Sequence, residues 1–352
     1  MKPNIKKIFN TKVKNPVYFI AEIGVNHNGN VKLAKKMIDA AKNSGADAVK
    51  FQTFKAENLV TPKTPKVKYQ KNTTSLKESH YDMIKSLELN EKKHKDLKSY
   101  CKKKKIDFLS TPYDLNSAKF LSKIGCKEFK TASADIVDLE LHKYLAKSKK
   151  SVIISTGMSS LEEIKECVKI YNRYKNKNII LLHCVSNYPC SLKSLNMKAL
   201  TIMQEKFNCA VGYSDHSVGH EASVVSVALG ARVIEKHFTT NKKLFGPDHK
   251  TSALPEEFKK MVSEIKKAEL IIGNNIKKCQ KEESQMARIS RKSLTLKVSL
   301  KKNEIIKIND LCLKRPGTGL FYKDIKNILG KRLKKNLKKN YQIKSTDLRK
   351  SK

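Results

Sequence analysis

The sequence predicts an α/β protein: a (β/α)8 barrel followed by a small β-rich domain. Three observations lead there. Eight short apolar runs recur between Val17 and Thr239, most bounded by Gly, Pro or polar turns, with helical patterns between most of them. Composition changes past Gly273 to short β-like runs. That tail also carries an internal repeat, in which Leu300–Leu311 is matched by Leu337–Leu348.

The apolar runs are Val17–Val25, Ala46–Thr53, Asp107–Pro112, Glu128–Ser133, Ser151–Thr156, Asn178–Val185, Ala210–Asp215 and Ala231–Thr239. Strand–helix alternation repeated eight times reads as a parallel sheet closed on itself. A helix over Val31–Ser44 follows the turn and cap Asn28-Gly29-Asn30. Another over Ser160–Lys175 opens on Ser160-Leu161-Glu162-Glu163, a capping box in which Ser and Glu side chains satisfy each other's backbone N–H groups. Glu221–Gly230 is short and built of small residues. Lys55–Ile106 is unusually long: a Lys/Thr/Pro-rich loop, then helices at Tyr81–Leu87 and Asn90–Lys104. Long loops inside compact domains are commonly functional. A helix over Pro255–Ile272 is stopped by Gly273, which closes the barrel at 1–273. Residues 274–286 read as a basic linker and 287–352 as the tail domain, whose repeat points to pseudo-symmetry.

The chain has 352 residues, enough for a barrel of roughly 250 plus a small partner. No stretch approaches the ~20 apolar residues of a membrane helix. The basic stretch Met1–Asn15 leads into no apolar signal core, so a cytoplasmic location is expected. Eight cysteines form no CxxC pair and no zinc spacing, which suits reduced, half-buried thiols. The net charge of +41 is mostly lysine on solvated helix faces; only seven of the 74 basic residues are Arg. Without a nucleic-acid-binding motif, that charge is read as a field attracting anionic substrates, not as a nucleic-acid footprint.

Catalytic groups of such barrels project from the C-terminal ends of the strands. Those ends are polar here. Lys50 and Lys130, with Ser133, Ser155, Ser186 and Ser214, converge on one mouth and suit a phosphate and carboxylate site. His216 and His237 end the seventh and eighth strands, where two imidazoles can share a divalent ion and leave positions open. His27 and His183 are further histidines at strand ends. Glu22 and Asp135 are carboxylates placed for proton transfer or for holding hydroxyls, and Asp248 follows the last strand on a tight loop.

These residues sit in motifs that resemble the sialic acid synthase family, including its legionaminic and pseudaminic acid members. The likeness rests on Ala21-Glu22-Ile23-Gly24-Val25-Asn26-His27-Asn28-Gly29, Val49-Lys50-Phe51-Gln52-Thr53, Ser155-Thr156-Gly157-Met158, Gly212-Tyr213-Ser214-Asp215-His216-Ser217, Glu235-Lys236-His237-Phe238-Thr239, Gly246-Pro247-Asp248-His249 and Lys314-Arg315-Pro316-Gly317-Thr318-Gly319. It implies a TIM barrel followed by an antifreeze-like (SAF) domain. It also implies a divalent metal on His216 and His237, typically Mn2+, with Mg2+ or Co2+ as alternatives. Phosphoenolpyruvate would lie against Lys50, Lys130, Ser133, Ser155, Ser186 and Ser214. The amino sugar would meet Glu22, Asp135, Tyr188 and Asp248, with Arg315 reaching in from the other subunit of a domain-swapped homodimer. Glu22 or Asp135 would be the base. The reaction implied is condensation of phosphoenolpyruvate with an N-acetylmannosamine-type sugar and water, giving a nine-carbon 2-keto sugar acid and phosphate. The alternative acceptor is a 6-deoxy diacetamido hexose, the precursor of legionaminic or pseudaminic acid. Ser186 stands where the sialic acid enzymes carry Asn, and Asp135 where several carry Glu; both departures lean toward the legionaminic members.

Two rivals are weaker. A sugar-phosphate condensing barrel needs a second phosphate site, and no second basic, Gly-rich cluster is found. A degenerate barrel binding nucleic acid or anionic glycan would not need Glu22, His216 and His237 intact.

Overall fold

A computed structural model describes Ile8, residues 16–274 and residues 276–349; apart from Ile8, the basic stretch Met1–Asn15 lies outside these. The chain divides into two compact units, Met1–Gly273 and Asn274–Lys352.

The first unit is an eight-stranded parallel barrel: β1 (Tyr18–Gly24), β2 (Ala48–Thr53), β3 (Asp107–Pro112), β4 (Glu128–Thr131), β5 (Ser151–Ser155), β6 (Ile179–His183), β7 (Ala210–Asp215) and β8 (Val233–His237). The hydrogen-bonded order is β3-β2-β1-β8-β7-β6-β5-β4, and β3 and β4 lie side by side at the seam.

Side chains alternate across each strand, and this period explains both faces. Outward residues such as Phe19, Ala21, Val49, Phe51 and Ile234 pack beneath the surrounding helices. Inward residues begin apolar: Tyr18, Ile20, Ala48, Leu109, Ile153, Ile180, Ala210 and Val233 join Ile8 in one buried cluster. Continued toward the C-terminal ends, the same inward register reaches Glu22, Lys50, Lys130, Ser155, Ser214 and Glu235, all buried. An apolar floor thus carries a polar upper layer.

Local signals act as their chemistry requires. Asn30 caps the helix Val31–Asn43 by accepting from Lys32 N and Leu33 N at 2.8 and 3.2 Å. Ser160 and Glu163 form the reciprocal box opening the helix Leu161–Arg173. The fourth strand ends earlier than its apolar run, at Thr131; Ser133–Val137 turns into a 3-10 helix. Eighteen residues, Pro255–Ile272, form the helix that ends at Gly273.

The second unit pairs β9 (Ser293–Leu296) antiparallel with β10 (Leu311–Lys314). The segment read as a linker carries a 3-10 turn, Lys281–Glu283, and a helix, Ser284–Ser290. Glu283 accepts from Gln280 N at 2.7 Å, and Arg288 O accepts from Gly317 N at 2.7 Å, so this helix is tied to the β unit. The repeat is structural. Asn303 and Asn340, matched positions, both turn left-handed at φ 72° and 68°. Lys307 N and Lys344 N donate to Asp310 and Asp347 at 2.8 and 2.9 Å. Leu300 and Leu337 exchange both backbone hydrogen bonds at 2.9 Å. Among the described residues all eight cysteines are free, and no helix is long and apolar enough to cross a membrane.

Candidate active site at the barrel mouth

Four charged side chains from four strands meet inside the mouth. Lys50 Nζ lies 3.0 Å from Glu22 Oε2 and 3.7 Å from Glu235 Oε2, and donates to Thr111 Oγ1 at 3.0 Å. Lys130 Nζ lies 3.4 Å from Glu235 Oε1 and donates to Ser155 Oγ at 2.5 Å. Ser214 Oγ donates to Glu235 Oε1 at 3.0 Å. Burying four charges is costly unless they are paired, and here each faces an opposite charge.

The pairing is uneven. Burial pushes Glu22 up to about 7, with Lys50 opposing and Glu235 adding. Burial would raise Glu235 too, but Lys130, Lys50 and the Ser214 hydroxyl hold it well below the carboxylate range. Two lysines therefore face one firmly ionised carboxylate and one that protonates near neutrality. The two lysines side by side suit an anion bearing phosphate and carboxylate.

Beside this quartet is a ring of hydroxyls around a residue without a side chain. Gly157 N donates to Ser133 Oγ at 3.0 Å, and Ser133 Oγ lies 3.1 Å from Cys184 Sγ. A Cβ at Gly157 would come within 2.4 Å of Ser186 Oγ and 2.8 Å of Cys184 Sγ. Only glycine leaves this space open.

His216 and His237 stand across the mouth with ring centroids 5.7 Å apart. Burial lowers them to about 4 and about 3, so both are neutral near pH 7. His216 Nδ1 donates to Val185 O at 2.8 Å, which leaves the Nε2 lone pair available. His237 Nδ1 is buried without a hydrogen-bond partner, 3.9 Å from Asp248 Oδ2. Among the described residues no group of three or more His, Cys, Asp or Glu could hold a metal ion. The pair fits a divalent ion that takes two protein nitrogens and leaves its other positions open.

The Tyr188 ring lies tilted against His216, 4.2 Å between centroids, and meets His237 edge-on at 5.4 Å. Burial raises Asp248 to about 6, with the facing Tyr69 phenol opposing.

Of the residues expected from the sequence, Glu22, Lys50, Lys130, Ser133, Ser155, Ser186, Tyr188, Ser214, His216, His237 and Asp248 line one pocket of about 790 Å3. Asp135 does not. It lies in the 3-10 turn after β4, where burial raises it to about 7 and its Oδ2 has no hydrogen-bond partner. Arg315 is exposed on the second unit, after β10. His27 and His183 serve the scaffold: His27 Nδ1 accepts from Gly29 N at 3.0 Å, and His183 Nε2 contacts Leu195 O at 2.6 Å. Sequence reasoning missed Glu235, although it lies two residues before His237 on the same inward face. It also missed Tyr69, which no motif marks.

A parallel barrel with buried charge gathered at the C-terminal ends of its strands defines an enzyme of the barrel class. The chain matches the NeuB family over residues 37–277 and the SAF domain over residues 291–349. It is 45% identical over 326 residues to the N,N'-diacetyllegionaminic acid synthase of Campylobacter jejuni, spanning 92% of this chain and 98% of that one. It is 35% identical over 341 residues to a pseudaminic acid synthase of C. jejuni, spanning 97% and 98%. A solved N-acetylneuraminic acid (sialic acid) synthetase from Leptospira borgpetersenii is 37% identical with a TM-score of 0.69, covering 77% of this chain and 90% of its own. The chain belongs to the NeuB family of sugar-acid synthases and is a transferase of carbohydrate biosynthesis.

Proposed function

We propose that this enzyme condenses phosphoenolpyruvate with a 6-deoxy diacetamido hexose, releasing phosphate and a nine-carbon 2-keto sugar acid of the legionaminic type. One observation carries the reaction: the lysine-rich buried quartet adjoins a pair of neutral histidines in a single pocket. The acceptor is chosen on the 45% likeness to a legionaminic acid synthase. An N-acetylmannosamine-type acceptor is the second reading, favoured by the 37% likeness to a sialic acid synthetase.

Lys50 and Lys130 hold the carboxylate and phosphate of phosphoenolpyruvate, with Ser133, Ser155, Ser186 and Ser214 as directed donors. Tyr188 and Asp248 orient the sugar. A divalent ion on His216 and His237, Mn2+ by family resemblance, would supply Lewis acidity toward the aldehyde oxygen. The methylene carbon of phosphoenolpyruvate attacks the aldehyde carbon, whose oxygen takes up a solvent proton to become a hydroxyl, and positive charge develops at C2. Water adds at C2, its proton passing to Glu22, whose raised affinity suits exchange near neutrality. The tetrahedral species then expels phosphate as the C2 carbonyl forms. In this reading the functional unit is a homodimer, with Arg315 of the partner subunit on the sugar.

Purified protein with Mn2+ and phosphoenolpyruvate should release phosphate and form a 2-keto acid, fastest with the 6-deoxy diacetamido sugar. No product with either acceptor rejects the reaction; a preference for N-acetylmannosamine rejects the acceptor. His216→Ala and His237→Ala should each lose bound metal and nearly all turnover without unfolding.

A further inference from the structure

The pocket at the mouth borders a second cavity of about 540 Å3. Tyr69, Asn72, Tyr188 and Pro189 line both spaces, so the two meet at these residues. The second cavity is lined by Lys236 of β8 and by polar and charged groups from beyond β7 and β8, among them Ser217, Lys250, Ser252 and Lys260. Lys236 and Lys242 are ion-paired with Asp215 and Glu257 at 2.8 and 2.7 Å, which leaves Lys250 and Lys260 against the single carboxylate of Glu221.

Tyr69 stands where the two cavities meet. It belongs to the long insertion between β2 and β3, on a short helix, Lys68–Lys71, that has no buried residue of its own. The base of the insertion is anchored by Met83 and Leu87 against Val25 and Phe54. The tip has no such anchor. It meets the barrel through the Tyr69 ring, 5.2 Å from that of Tyr188, and through Thr73 Oγ1 donating to Pro247 O at 3.2 Å, with the Tyr69 phenol facing Asp248. Asp248 and Tyr188 are the two barrel residues assigned to the sugar, so one side chain both closes the pocket and positions its sugar contacts.

We propose that Tyr69 is a specificity-determining residue: it limits acceptor size by separating the sugar pocket from a cationic cavity that could take a longer, anionic N-acyl group. This rests on the amino-sugar reading of the pocket. It predicts that wild-type enzyme strongly prefers an N-acetyl acceptor over the same sugar carrying an N-succinyl group. Tyr69→Ala joins the two cavities and should narrow that preference in kcat/KM at least about ten-fold, a loss of discrimination typical of a reshaped pocket. Tyr69→Phe keeps the ring and loses only the hydroxyl. It should raise the KM for the N-acetyl acceptor several-fold, by freeing Asp248, and leave the preference unchanged. Neither change should alter the KM for phosphoenolpyruvate by more than about two-fold, which also reports a folded site. An unchanged preference in Tyr69→Ala, or one narrowed equally in Tyr69→Phe, overturns the proposal. If wild type turns over no N-acetyl amino sugar at all, the amino-sugar reading fails first and takes this one with it.

Discussion

Lys50 and Lys130 occupy equivalent inward positions, yet their surroundings push them in opposite directions. For Lys50, burial would favour the neutral amine, but Glu22 and Glu235 outweigh it and hold the ammonium. For Lys130, burial wins over Glu235 and lowers its proton affinity. Replacing either by Met should raise the KM for phosphoenolpyruvate and lower kcat, by roughly ten- to a hundred-fold, since a charge-assisted contact is worth about 1.5–3 kcal/mol. Steady-state kinetics in both substrates checks this; a change confined to the sugar KM contradicts it. The two should differ in stability. Lys50→Met leaves Glu22 and Glu235 facing each other, so its urea midpoint should fall further than that of Lys130→Met, and adding Glu22→Gln should restore part of it. Both lysines were legible because a charge inside an apolar run demands a reason. Glu235 shares the inward face of His237, but its pairing with both lysines depends on strands β2 and β4, far away in the chain.

At the scale of elements, β7 and β8 are joined behind the barrel wall. Lys236 Nζ lies 2.8 Å from Asp215 Oδ2 and donates to Ser217 O at 2.8 Å; both residues are buried. Asp215 also accepts from Ser217 N, Ser217 Oγ and Ser223 Oγ, at 2.8, 2.6 and 2.6 Å. His216 follows Asp215 and His237 follows Lys236, so this network ties the two histidine-bearing strand ends together. Asp215→Asn leaves a buried ammonium uncompensated, which typically costs about 3–5 kcal/mol. The double variant Asp215→Asn/Lys236→Met should recover part of that loss in urea unfolding. Equal destabilisation of the single and double variants would mean the ion pair contributes nothing. Strand positions were legible to within a few residues because apolar runs report burial directly. The early end of β4 was not, because Ala132 and Ser133 carry no turn signal; the hydrogen bond from Gly157 N to Ser133 exists only across the barrel.

For the whole molecule, the open question is how many chains build one site. Arg315 lies in the second unit and, in the proposed homodimer, would meet the sugar of the partner subunit. Arg315→Ala and His216→Ala should each be nearly inactive. If the proposed homodimer is the functional unit, mixing them under conditions that exchange subunits should give heterodimers in which one site is whole, and activity should return to an appreciable fraction of wild type. If exchange is demonstrated and activity stays at the level of the single variants, the shared site is wrong. By itself, the sequence determined the two-part architecture, the eight-fold alternation, the repeat of the tail and most of the polar mouth. Each of these follows from local periodicity or from a polar residue placed where burial is expected. Tertiary structure decided which polar residues share a pocket. It joined Glu235 to both lysines, carried Asp135 out of the lining, and brought Tyr69 from a loop with no motif onto Asp248. Those relations depend on distances between segments far apart in the chain, set by barrel closure and by the packing of the insertion, and no window of sequence contains them.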